Sequence, residues 1–513
     1  MKRPLDIQLP ATLGGGLFFS YLFWMEGQAL NLLMYTLFIF IILLTDRAIV
    51  KTRKVYLLGC THLTAAILVV INASELSVAC WYVSLGVLTG FVHFQALRSI
   101  FAALGAMLLQ FITAPVNIAR KLTGTQLGKL SAEPFLRPLK YIVIPFLVLV
   151  LFCFLYSSAN PFFARYLHLL TSNIALAFRN VFYFFFSDLS FMRFMHLVLG
   201  MLFTGAVLIG FRDKALERAE LSCEEQLRRR KRDLSTVHIG QEIVAVFAGR
   251  LMTRKMALKT ENTIGVICFI LLNLLLLFLN LIDASTLWLH AASVPADKNF
   301  SAGLHDGTNA LITSIVMAML VIIYFFNGNL NFYTRNRALR LLAYLWIFQN
   351  FFLVLSVLLR DYHYIAAYGL TYKRIGVLVF LLLCTVGLVT VYIKVARQKT
   401  IFYLLKVNTL IWYCLLLSAG FVNWDVFIAG YNIRHRNEIR LDLEHLQSLS
   451  DKTIPLLWEN REVFNGSTAS ELTFRKSIQN RIGLFKERYS TTTWLSWNYP
   501  DWKTYRYINA QQL

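Results

Sequence analysis

Residues 362–394 read YHYIAAYGLTYKRIGVLVFLLLCTVGLVTVYIK. A polar, aromatic stretch ends at Lys373 and Arg374, and an apolar segment from Ile375 to Ile393 then runs to Lys394. At a rise of ~1.5 Å per residue, about 20 apolar residues match a hydrocarbon core of roughly 30 Å. The segment is therefore read as a membrane span. Further candidate spans are Thr12–Met25, Ala29–Thr45, Val55–Ala73, Leu76–Phe94, Leu97–Thr113 and Tyr141–Ser157. They continue with Met192–Phe211, Thr263–Ile282, Ala310–Asn327, Leu339–Leu359 and Ile401–Val422. The expected fold is all-α: a polytopic transmembrane bundle of about 11–12 apolar segments with a small helical extramembrane domain at the C-terminus.

Composition agrees with that reading. The chain has 513 residues, 57% of them hydrophobic and 15% charged, with a mean hydropathy of +0.57, whereas soluble domains carry about 25% charge. Its net charge of +22 comes from short basic clusters between apolar segments, the pattern that the positive-inside rule leaves behind. No soluble basic domain exists to hold nucleic acid, so membrane lipids are the expected partners and nucleic acid is not. The seven cysteines form no CxxC pair, which indicates neither a zinc site nor a disulfide framework. No cofactor is expected. The start, MKRP before an apolar run, resembles a secretory signal but offers no small-residue cleavage site and is read as uncleaved.

Orientation follows from the loops. The stretch Arg212–Lys259 carries twelve Lys or Arg and is placed in the cytoplasm, within a charged loop over residues 212–262. Counting forward returns Arg335, Arg337, Arg340, Lys394, Arg397 and Lys399 to the same side, and puts everything after Val422 outside. The expected location is a bacterial cytoplasmic membrane, with residues 1–422 as the bundle and 423–513 as an extracytoplasmic domain. Counting backward gives three segments between two basic loops, an odd number. One of those three, among Val55–Phe94 with its internal His62, Asn72 and Glu75, does not span, or one loop is misassigned. Residues 158–190 are expected as an interfacial helix, and Lys214–Leu234 as a charged helix that docks an unidentified protein or is simply solvated.

Several phrases carry a family resemblance. Tyr368-Gly-Leu-Thr-Tyr-Lys-Arg-Ile-Gly376, Trp346-Ile-Phe-Gln-Asn350, Asn423-Trp-Asp425, Ile428-Ala-Gly-Tyr-Asn432 and Ser496-Trp-Asn498 resemble the bacterial membrane proteins grouped as domains of unknown function 4153 and 4173. Asn160-Pro-Phe-Phe-Ala164 is similar to a further phrase of that family. The resemblance implies a multi-pass bacterial membrane protein with no assigned activity, and it supplies no catalytic residues.

The candidate site residues are Tyr368, Gly369, Thr371, Lys373, Arg374, Asn423, Trp424, Asp425, Asn432, Gln349 and Asn350. Gln349 and Asn350, like Asn273 and Asn280, carry amides inside spans and are expected to point into the bundle, where they bond between helices or line a solute path. Lys373 and Arg374 open a helix whose positive end favours anions, either a phosphate headgroup or the carboxylates Asp361 and Asp425. Asn423–Asp425 is expected to join membrane and outer domain, with Asn or Asp capping the next helix. Asp283, His290, His305, Asp306, Asp361, His363 and Asp425 gather on the expected outer face without a metal or nucleophile motif, and are read as solvated loop residues. Three functions compete. A non-enzymatic sensor, scaffold or regulator leads, followed by a transporter and by an enzyme for lipid-linked substrates using residues such as Glu26, Asp188, His290 or Asp425.

Overall fold

The computed structural model describes residues 7–47, 49–124, 145, 149–158, 160–185, 190–210, 215–228, 257–288, 298–326, 328–464 and 469–512. The described regular elements are helical, apart from a single antiparallel bridge between Gln226 and Lys399. Among the described residues, eight helices are long and apolar enough to cross a membrane, and three shorter apolar helices, Leu30–Thr45, Leu149–Ser158 and Asn309–Phe325, accompany them. The protein is a multi-pass, all-α membrane protein. It divides into two compact units, one comprising Met1–Leu221, Leu416–Val422 and Leu484–Leu513, the other Ser222–Leu415 and Asn423–Gly483.

The first unit contains α1 (Gln8–Phe23), α2 (Leu30–Thr45), α3 (Arg53–Asn72), α4 (Glu75–His93), α5 (Ile100–Gly124), α6 (Pro161–Phe185), α7 (Phe191–Leu208) and α8 (Ala215–Leu221). The triplet Gly14–Gly16 weakens α1 as an isolated helix, yet Gly15 and Gly16 are what let α1 approach α7. A Cβ on Gly16 would come within 2.3 Å of Met201, so only a glycine permits this backbone spacing. Gly90 of the Gly86/Gly90 pair meets the Ala103 backbone of α5 just as closely. Several buried polar side chains inside this unit find partners: His62 bonds Ser84 at 2.8 Å, the Trp81 indole donates to Thr36, and Asn72 donates to the Gly420 carbonyl. His62 and Asn72 are thus bonded inside the unit. All three helices between residues 53 and 122 are long and apolar enough to cross a membrane.

Of the expected charged helix Lys214–Leu234, residues 215–228 are described, and they are not one helix. Helix α8 stops at Leu221, and Glu217 and Glu220 are buried rather than solvated. Glu217 accepts from the Ala96 amide, while Glu220 accepts from the Arg98 amide and the Ser99 hydroxyl. Two carboxylates thus cover the positive N-terminal end of α5, where free amides and the helix dipole favour anions.

The second unit contains α9 (Ala257–Asp283, extended by a π turn Ala284–Trp288), α10 (Lys298–Phe325), α11 (Arg337–Tyr368), α12 (Tyr372–Arg397) and most of α13 (Ile401–Gly420). After it come α14 (Trp424–Arg434), α15 (Leu443–Ser448), α16 (Ile454–Glu459) and the start of α17 (Ala469–Ser490). The chain closes with α18 (Tyr499–Ala510) in the first unit. Asn273 meets Leu342 and Asn280 meets Gln349 at the same sequence offset of 69. A constant offset means that α9 and α11 run parallel, as alternating crossings require. The apolar core between these helices includes Phe269, Ile315, Ile322, Leu353 and Leu388. Near one end of α11 and α12, Arg340 and Gln398 both donate to the Asn331 carbonyl and buried Lys394 donates to that of Phe326. The Arg335–Arg340 and Lys394–Lys399 clusters therefore share an end of the bundle.

Candidate functional site

At the opposite end of α11 and α12 two of the resemblance phrases, Tyr368–Gly376 and Asn423–Asn432, converge. Helix α11 stops at Tyr368 because Gly369 takes φ +78, a left-handed conformation that costs any residue with a Cβ. Asn432 of α14 lies directly over this turn. Its side-chain oxygen accepts from the Leu370 amide at 2.6 Å, and its side-chain nitrogen donates to the Leu370 carbonyl at 2.9 Å. A buried backbone pair that a helix end leaves without partners is thus satisfied by one amide side chain. Thr371 then caps α12 by accepting from the Arg374 amide.

Arg374 is buried and folds back onto the turn. Its guanidinium donates to the Gly369 carbonyl and lies 5.9 Å from the ring centroids of both Tyr364 and Tyr368. Asp361, one helical turn before Tyr364, supplies the opposite charge. The carboxylate expected to pair with Arg374 acts on it by charge and not through a salt-bridge contact, and Asp361 comes from helix α11 rather than from a loop. Lys373 is exposed.

Asp425, in the first turn of α14, is held from three directions. Tyr372 donates to one oxygen at 2.7 Å and Ser450 to the other at 2.6 Å, and Lys452 lies 3.0 Å from the second oxygen. Burial raises the carboxyl pKa, but the hydrogen bonds from Ser450 and Tyr372 together with the Lys452 charge outweigh it, so the net shift is downward. His445 moves down as well. Burial is the main cause, with Asp442 and Asp425 opposing it. Arg481 of α17 extends the cluster through Asp451 at 2.7 Å and the Leu449 carbonyl.

Asn423 takes the N-cap position of α14 without a side-chain capping bond, so the expected cap is present by place and not by chemistry. Trp424 packs edge-on against Phe427. Gln349 and Asn350 stand apart from this cluster: Gln349 donates to Asn273 across α9 and α11, and Asn350 to the Trp346 carbonyl of its own helix. The reading of Asp283, Asp361 and Asp425 as solvated loop residues is overturned, since all three are buried in helices. Asp283 pairs with Arg360. His290, Asp188 and Ser467 lie outside the described residues, as do the side chains of His305 and Asp306. Among the described residues no group of three or more His, Cys, Asp or Glu is arranged to hold a metal.

Sequence reasoning singled out Asp425 but not Ser450, Lys452 or Arg481. They carry no motif and meet it only through the fold. A similar convergence occurs within the first unit, where Glu26 accepts from Thr493 and Ser496, the Trp497 carbonyl accepts from the Leu30 amide, and Asn498 caps α18.

Chemically, this arrangement is a latch. Backbone ends, one amide and one carboxylate tie the α11–α12 turn to the segment after residue 423, and the charged groups face each other. A comparison with protein-family models matches residues 57–460 to the domain of unknown function 4153 (DUF4153). The match covers most of the chain, which therefore belongs to that family. Comparisons with curated proteins and with solved structures give no match.

Proposed function

We propose that this member of the DUF4153 family is a non-enzymatic scaffold or regulator of the bacterial cytoplasmic membrane, in which the segment after residue 423 is an extracytoplasmic module latched to the bundle. One observation carries the reading. Both oxygens of Asp425 and both polar atoms of the Asn432 side-chain amide are engaged inside the protein. A carboxylate with a lowered pKa and bound by three donors is a poor general base and a good structural anchor. Glu26 is also held in place, one of its oxygens accepting from two hydroxyls. The positive-inside rule favours the basic end of α11 and α12 on the cytoplasmic side, and so the latch on the outer side. Lipids then surround the bundle, and a membrane or cytoplasmic protein is the partner that such a scaffold serves.

Complementation of a deletion strain tests the reading. Asp425→Asn keeps the size of the anchor and part of its bonding, so at matched levels of folded protein it is expected to complement. Loss of complementation with an undiminished folded level contradicts the proposal and favours chemistry at the carboxylate.

A further inference from the structure

The seam between α9 and α11 carries more polar atoms than the two helices use. Asn273 is fully engaged: its nitrogen donates to the Phe269 and Leu342 carbonyls and its oxygen accepts from Gln349 at 2.9 Å. Beyond it the accounting fails. Asn280 donates to the Gln349 carbonyl at 3.2 Å, but its own oxygen has no partner, nor has the side-chain oxygen of Gln349. One turn further, Asp283 uses one oxygen on Arg360 and leaves the other without a partner, as it does the Arg360 Nε. These groups are well buried, with Asn280 and Gln349 each 7% exposed and Asp283 1% exposed. In an apolar medium each unmade bond is unfavourable, and one of the helices involved is among the most apolar in the chain.

The row has one closed end. Below Asn273 the seam is apolar, with Phe269, Leu339 and Ala343 fully buried. The other end reaches Arg360, whose side chain is 14% exposed. There α9 passes into the π turn Ala284–Trp288, an irregularity that frequently accompanies a site. It carries Trp288 over Phe352, within a 3.3 Å hydrogen bond of Ser356.

We infer that this seam is a blind, water-admitting site that enters beside Asp283 and Arg360 and ends at Asn273, binding water and neutral hydroxyl-bearing molecules of similar size. The chemistry selects that class. Three acceptors without donors require a molecule that donates, and the Arg360 Nε requires one that also accepts. The Asp283–Arg360 pair is neutral, so a bare ion gains no net counter-charge there. Bonds of about 3 Å across the seam leave little width, and a buried water of the usual kind makes two to four such bonds. The apolar floor separates this site from a through-path.

The test uses 2-hydroxyethyl methanethiosulfonate, a small neutral thiol reagent, on full-length protein in membranes with the native cysteines replaced. Gln349→Cys is expected to react at least about tenfold faster than Ala343→Cys, because an apolar, dry surrounding raises a thiol pKa and each unit removes tenfold of the thiolate. If Gln349→Cys does not fold, Ser356→Cys, two turns nearer the entry, carries the same comparison. Adding Asp283→Asn should speed either reaction by loosening the entry pair. Equal, slow labelling at the seam and at Ala343 overturns the inference and leaves a dry helix contact.

Discussion

Gly369 and Asn432 depend on each other at the level of single atoms. A Cβ at Gly369 would sit 2.5 Å from the Asn432 oxygen, which is already fixed by the Leu370 amide. Neither the backbone nor the side chain can give way, since φ is +78 and Asn432 bonds in two directions. Gly369→Ala should therefore destabilise the protein by about 2 kcal/mol, read as a lower thermal midpoint in mild detergent; an unchanged midpoint removes the latch from the account. Asp425 adds a pH dependence. Its folded pKa lies below the unfolded value, so the stability it contributes is complete above the unfolded pKa of about 3.9 and is lost as pH falls through the folded value. Thermal midpoints measured from pH 7 downward should show an acid loss that Asp425→Asn reduces. An identical acid profile in the variant would assign that loss to other carboxylates.

At the scale of elements, capping decides where helices start and stop, and here the sequence was partly legible. Apolar runs near 20 residues locate α3, α4, α11, α12 and α13, because nothing else in water or lipid accounts for such lengths. Thr371 as a cap and Gly369 as a stop follow from local rules. The segment after Leu221 did not follow from them. Its alternating charges suggest a helix, but Glu225 and Leu227 instead pair with Thr400 and Gln398 across a turn that is remote in sequence. Likewise Ser450 and Lys452 lie 25 or more residues from Asp425, beyond any spacing rule. The buried Glu220 is testable at this scale. Glu220→Ala leaves the Ser99 hydroxyl and Arg98 amide without their acceptor, and should cost about 2 kcal/mol. Glu220→Gln, which keeps an acceptor oxygen, should cost less, as denaturant titration in detergent can show. Equal costs would mean that the carboxylate packs without bonding.

At the scale of the molecule, membrane character was readable from composition and from the recurrence of apolar runs, whereas the division into two units was not. Each unit takes residues from distant parts of the chain: Leu484–Leu513 belongs with the N-terminal helices, and Asn423–Gly483 with the helices before it. No change of composition marks residue 484. Contacts such as Ser496 with Glu26 and Asp425 with Tyr372 make the assignment. The central claim is that helices of the second unit cross the bilayer, with their basic ends on one face and the latch on the other. Labelling with a membrane-impermeant maleimide in a cysteine-free background tests this most directly, comparing Glu444→Cys near the latch with Arg337→Cys at the basic end. The account predicts that Glu444→Cys is labelled in intact cells with a permeable outer envelope and that Arg337→Cys is labelled only after lysis; labelling of both from the same side would contradict it.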